Sequence, residues 1–278
     1  EYGNILKLSK DEVKRTVEDT QGLQRRETED YLRALCVDRY PERRDALWKR
    51  DYSSETAFLA SVEANRARWR EALGVFAPET ELAAAEEPFL EDEHVIARFL
   101  TVPFAKDLNC CAVLALPRER AGRLPLVVAQ HGISSSPENV FGLLDGGGLY
   151  HAYGYRLARD GFAVLAPLNI SMTVRARYCR MATLLGATLA GLEVSKIGRL
   201  LDYAATLPEI DAGRIAMWGI SLGGYYTLFT LPVEPRITAG ICTAFFNSRV
   251  KKMVVDDPRH SCFLSTEEEH IFIPGWLR

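Results

Sequence analysis

The chain has 278 residues, 47% of them hydrophobic, and its 34 basic and 37 acidic side chains leave a formal net charge of −3. That is enough apolar material for a full globular core, either one large domain or a domain with an extension. Near-balanced charge argues against nucleic acid or an anionic membrane as partner and leaves a small molecule or saccharide; no apolar run reaches the length of a membrane span.

Residues 1 to about 85 carry helical periodicity and dense mixed charge. Val13, Val17, Tyr31, Leu32 and Leu35 mark one helix, and Ala57 to Leu73, with Trp69, marks another. Solvated charged faces are the simplest reading, and a partner-binding surface is the sharper one. Pro78 to Pro88, rich in Ala and Glu, reads as a linker. The expected division is therefore a helical extension and linker over 1–88 and an α/β core over 89–278.

From His94 the pattern changes to short apolar runs separated by turns and helices, the signature of an α/β fold. Strands are predicted at His94–Val102, Asn109–Leu116, Leu124–Gln130, Phe162–Pro167, Arg214–Trp218 and Ile237–Phe245, with helices over Tyr150–Asp160 and Leu189–Leu207. The first two strands are placed to form an antiparallel hairpin. The others alternate with helices and should run parallel.

Six cysteines include no Cys-x-x-Cys pair, and His260 with Cys262 alone hints at ligation, so no metal site is expected. Cys110, Cys111 and Cys242 lie in apolar strand-like runs, where a thiol behaves as a small hydrophobe. Reduced core cysteines point to a cytoplasmic setting. The chain begins at Glu1 rather than Met, which leaves room for a cleaved signal. No cofactor is implied: Asp145 to Gly148 lacks the strand context of a phosphate-cradling loop and reads as a flexible rim. Tyr150, His151 and Tyr153 follow it, either lining an acyl or sugar pocket or packing on the loop.

The most informative stretch is Arg214 to Thr230: a buried strand, a Gly-x-Ser-x-Gly turn and an apolar helix. The turn alone is weak, since about one chain in ten of this length holds one by chance. The strand-turn-helix context makes Ser221 the candidate nucleophile, held on a sharp turn with its hydroxyl above the sheet. Gly219 and Gly223 are demanded by close packing of that turn. The Leu222 amide, at the start of the helix, is placed to stabilise negative charge on a substrate oxygen. A second site follows Leu124–Gln130: His131-Gly132-Ile133, at a carboxyl end of the sheet, where ligands bind in open α/β folds. There Gly132 allows close approach and the Ile133 amide is the candidate for the other oxyanion donor. The His131 side chain is read as bonded to loop backbone, not as the base.

These stretches, together with Gly154–Pro167, Gly191–Tyr203 and Ile210–Gly224, resemble the α/β-hydrolase-fold serine hydrolases of the dienelactone hydrolase and acetyl xylan esterase-like branch. The resemblance covers residues 94 to 250. It implies a mostly parallel sheet flanked by helices, and hydrolysis of a carboxylic ester through an acyl-Ser221 intermediate, with small acyl esters such as acetylated carbohydrates as one substrate class. A prolyl oligopeptidase-like peptidase and a non-catalytic, partner-binding hydrolase-like protein are the alternatives.

The family order of serine, acid and histidine is not met in the usual way. Only 57 residues follow Ser221, enough for one helix, one strand and a loop. Asp256, His260 and His270 follow in the permitted order, with Glu267 to Glu269 nearby, but no apolar strand precedes them. The resemblance therefore implies that the acid and base lie beyond Arg278. A sheet edge left open at that end would favour association into oligomers.

Overall fold

The computed structural model describes residues 9–170, 174–246 and 254. Strands β1 (Ala85–Glu91), β2 (Val95–Ala105), β3 (Leu108–Pro117), β4 (Leu124–Gln130), β5 (Ala163–Pro167), β6 (Ile210–Ile220) and β7 (Ile237–Thr243) form one sheet in the order β1-β2-β3-β5-β4-β6-β7. The chain is thus α/β, as its alternating pattern requires. β2 and β3 make the expected antiparallel hairpin, β3 lies antiparallel on β5, and β4 to β7 run parallel. β4 reads as a continuous apolar run because it is buried on both faces at the centre of the sheet. From β4 the chain passes first to β5 on one side and later to β6 on the other. That reversal opens a crevice at the carboxyl end of β4, the point where open α/β sheets place their ligands.

Alternate strand residues feed two cores. Leu126, Val128, Leu114 and Leu165 meet α3 (Glu55–Leu73), α7 (Leu189–Ala204) and α8 (Leu222–Thr230) through Trp69, Ile197, Leu200, Tyr225 and Phe229. Ala129, Val113 and Val164 face the other way, towards α4 (Pro137–Val140) and α5 (Tyr153–Arg159) through Val140, Tyr153 and Ala158. α7 also buries Glu193, Lys196 and Arg199. Lys196 Nζ pairs with Glu193 at 3.3 Å, and Arg199 donates to the Pro103 and Thr80 carbonyls, so none of these charges is left uncompensated.

The division expected at Pro88 does not describe the packing. α3 belongs to the core: Val62, Asn65, Trp69 and Leu73 form one stripe at helical spacing, and Trp69 Nε1 donates to the Phe229 carbonyl at 3.1 Å. The segment read as a linker becomes β1 from Ala85. Its Pro88 sits at a bulge on the sheet edge, where a missing N–H is tolerated. Among the described residues only α1 (Lys10–Arg33), followed by a π turn and α2 (Tyr40–Leu47), behaves as an extension, with no buried residue in either helix. At the other margin β7 is exposed from Thr238 to Ile241 and pairs only with β6 among the described residues. Cys110 is buried, and burial pushes its thiol up to about 12, while Cys111 and Cys242 are half-buried.

Candidate active site

Ser221 joins β6 to α8 with φ 59° and ψ −116°, a region that costs a non-glycine residue about 1–3 kcal/mol. Long-range contacts hold it there. The register pairs Ile220 with Thr243 of β7, so the Ser221 N–H donates to the Thr243 carbonyl at 2.9 Å, and the Ser221 carbonyl accepts from Tyr225 N at 3.0 Å. A Cβ at Gly219 would strike the Gly223 carbonyl, and one at Gly223 the Gln130 carbonyl, so the elbow closes only with hydrogen at both positions. Ser134 and Ala244, in the loops after β4 and β7, also have positive φ, of 55° and 58°. Three neighbouring loops at the carboxyl end of the sheet therefore carry strained backbone.

The β4 register pairs Gln130 with Gly219 and so sets His131-Gly132 beside the elbow. The position a Gly132 Cβ would take lies 3.3 Å from Ser221 Cβ and 2.9 Å from the Tyr150 hydroxyl, and Gly132 N–H donates to that hydroxyl at 2.7 Å. Any side chain here would fill the gap between the turn and the nucleophile. Neither Ile133 N–H nor Leu222 N–H has an acceptor among the described residues. Both amides, from the β4 turn and from the first residue of α8, are therefore uncommitted donors, and the second carries the positive end of the helix dipole.

His131 is fully buried. Its Nδ1 lies 2.8 Å from the Gly132 carbonyl and must carry the proton, while Nε2 accepts from Asn169 N–H at 3.1 Å, which fixes the tautomer. Burial drives its pKa down to about 4, the Gly132 contact opposing the shift, so the ring is neutral near pH 7. With both nitrogens committed, His131 ties the β4 turn to the β5 loop and has no nitrogen left for Ser221.

Tyr150 and Tyr153, whose roles the sequence left open, are both buried. Tyr150 braces Gly132, and the Tyr153 hydroxyl reaches the carbonyls of Gln130 at 3.3 Å and Trp218 at 3.2 Å, bridging the ends of β4 and β6. Trp218 Nε1 in turn donates to Thr243 Oγ1 at 3.1 Å. The segment Asp145–Tyr150 forms a 3-10 turn. Thr243 and Asn169 were not singled out from the sequence. Asn169 could have been, since it lies two residues past the end of a parallel strand.

Asp256, His260 and His270, with Glu267 to Glu269, lie outside the described residues. Among the described residues no histidine or carboxylate meets the Ser221 hydroxyl, no cluster of His, Cys, Asp and Glu could hold a metal, and no helix is long and apolar enough to cross a membrane.

No family model matches the chain. A curated relative, the hydrolyase poxO of Penicillium oxalicum, is 30% identical over 146 residues, which are 50% of this chain and 31% of the relative. The match thus spans about a third of that protein's length. Among solved structures, a candidate acetyl xylan esterase from Bacteroides fragilis superposes with a TM-score of 0.65 over 86% of this chain and 68% of its own, at 15% identity. A glucuronoyl esterase from Solibacter usitatus superposes with a TM-score of 0.53 over 68% of this chain and 59% of its own, at 13% identity. At such identities the likeness concerns the fold, and the site must speak for the chemistry. Sheet order, strand-turn-helix elbow and these superpositions agree: the chain has the α/β-hydrolase fold of these esterases.

Proposed function

We propose that the protein belongs to a serine-dependent carboxylic ester hydrolase acting on small acyl esters, acetylated carbohydrates among them. One observation carries this reading: Ser221 is held at positive φ above the sheet, beside two uncommitted amides contributed by separate loops. Strain of this kind persists where the surrounding structure enforces it, and it clusters at reactive residues. In the reaction Ser221 Oγ attacks the ester carbonyl and gives up its proton to a general base. The carbonyl oxygen gains negative charge and is received by the Ile133 and Leu222 amides. Collapse expels the alcohol, and water then releases the acid from the acyl-serine. The base is not His131, whose nitrogens are both occupied; Asp256, His260 and His270, or residues beyond Arg278, are the remaining sources of acid and base. The partner is a small-molecule or saccharide ester, and the reading needs no cofactor.

Labelling with a fluorophosphonate, followed by fragmentation to map the adduct, tests it. An adduct on Ser221 that disappears in Ser221→Ala is the expected result. A folded protein from its native source that remains unlabelled would overturn the ester-hydrolase reading and favour a partner-binding role.

A further inference from the structure

Tyr150 reaches the elbow from the segment between α4 and α5. It is 8% exposed, its ring stacks on Tyr153 with 6.2 Å between centroids, and its hydroxyl accepts from Gly132 N–H at 2.7 Å. The point a Gly132 Cβ would occupy is 2.9 Å from that hydroxyl oxygen and 3.3 Å from Ser221 Cβ, so phenol and nucleophile are no further apart than those two distances laid end to end. The backbone that delivers the ring is strained: His151 and Ala152, directly after it, both have φ of 49°.

A phenol is both an acceptor and a donor. The Gly132 amide occupies a lone pair, which leaves the Tyr150 O–H to point elsewhere, and among the described residues it has no acceptor. Bracing Gly132 does not account for this proton, because an acceptor is all that the amide requires. A buried donor without a partner is unfavourable in the free protein, and that contribution disappears when a negatively charged oxygen forms beside it.

We infer that Tyr150 is a further catalytic residue, whose phenol donates a third hydrogen bond to the substrate oxygen that becomes the oxyanion, beside the amides of Ile133 and Leu222. This rests on the ester-hydrolase reading. When Ser221 Oγ bonds to the carbonyl carbon, the π pair moves onto the carbonyl oxygen, which then carries three lone pairs. Two face the amides and the third is open to the phenol. The phenol proton stays on its own oxygen throughout, and no covalent bond to Tyr150 forms or breaks. Because the ground-state carbonyl has one lone pair fewer and less charge, the third donor acts chiefly in the transition state. Its placement agrees: Tyr150 meets the β4 turn at Gly132, one residue before the Ile133 amide, while the Leu222 amide comes from α8.

The test separates the two hydrogen bonds of the phenol. Tyr150→Phe removes both, whereas Tyr150→p-aminophenylalanine keeps N–H donors and offers Gly132 only the weakly accepting aniline lone pair. The second-order rate of fluorophosphonate labelling at Ser221 reads the donor, since phosphonylation also builds negative charge on an oxygen beside the serine, and the melting temperature reads the brace. Each protein is labelled well below its own melting temperature. Tyr150→Phe should label at least ~10-fold more slowly than the unsubstituted protein. Both variants should melt lower, and Tyr150→p-aminophenylalanine should nonetheless recover most of the labelling rate. Labelling of Tyr150→Phe at the unsubstituted rate, or an amino group that fails to restore the rate, would overturn the role of Tyr150 and leave the hydrolase reading standing. An unsubstituted protein that is not labelled at all loses both.

Discussion

The elbow and the first helix are held by opposite means. α1 runs for 24 residues with no buried side chain, and its stability comes from neighbours in sequence: a capping box between Ser9 and Glu12 and a Lys14–Glu18 pair at 3.9 Å. Ser221 is held in an unfavourable backbone conformation by Thr243, Gly132 and Gln130, which come from other strands. A segment whose hydrogen bonds and ion pairs among the described residues come from neighbours in sequence takes the conformation its own residues prefer, and a reactive residue is found where distant contacts override that preference.

The comparison is broken most severely by removing the nucleophile. Ser221→Ala should lower ester hydrolysis at least ~1,000-fold, the order seen when a nucleophile is lost, as measured by initial rates on an aryl acetate. Trp69→Ala should destabilise by about 3–5 kcal/mol, because it leaves a cavity against Phe229, and a denaturant titration would show it. Tyr31→Ala, on the exposed face of α1, should stay within about 0.5 kcal/mol in the same assay. A pH titration of stability sharpens the contrast at His131. Its folded pKa, about 4, is below the unfolded value of 6.5, so the unfolded chain binds the proton more readily. Stability should therefore be unaffected by this group above pH 6.5 and fall by about 3 kcal/mol between pH 6.5 and pH 4, a loss absent in His131→Phe. Tyr150→Phe keeps the ring but strips the Gly132 N–H of its acceptor. It should cost about 1–3 kcal/mol and lower kcat, because the turn beside Ser221 is loosened. The most local effect belongs to Ser9→Ala, which should weaken α1 by about 1 kcal/mol and leave the melting temperature of the core unchanged, read as ellipticity against tryptophan fluorescence.

Much of the frame was legible in the sequence. The apolar run Leu124–Gln130 is β4 to the residue, because a strand buried on both faces has no polar position to blur its ends. Arg214–Trp218 was extended to Ile210–Ile220, since pairing of Ile210 with Leu124 and of Asp211 with Pro125 carries the strand back across the polar and small residues Asp211, Ala212 and Gly213 that break the apolar run. β1 went unseen because an edge strand built from Ala85, Glu86, Glu87 and Pro88 has neither alternation nor an apolar run. The place of Ser221 was readable because the elbow needs glycine at two fixed positions. Its supports were less so: Thr243 is an ordinary residue in sequence, Tyr150 was left open between lining a pocket and packing on the loop, and both become part of the site only through register.

The sequence by itself determined the fold class, the central strands and the elbow, because each depends on burial pattern or local sterics written within about twenty residues. Only the tertiary structure decided that α3 joins the core through Trp69 and Phe229, 160 positions apart, that β5 and β6 flank β4, and that His131 is a tie between loops. Those outcomes depend on which strands pair and on which buried groups find partners, and both are settled by contacts between residues far apart in the chain.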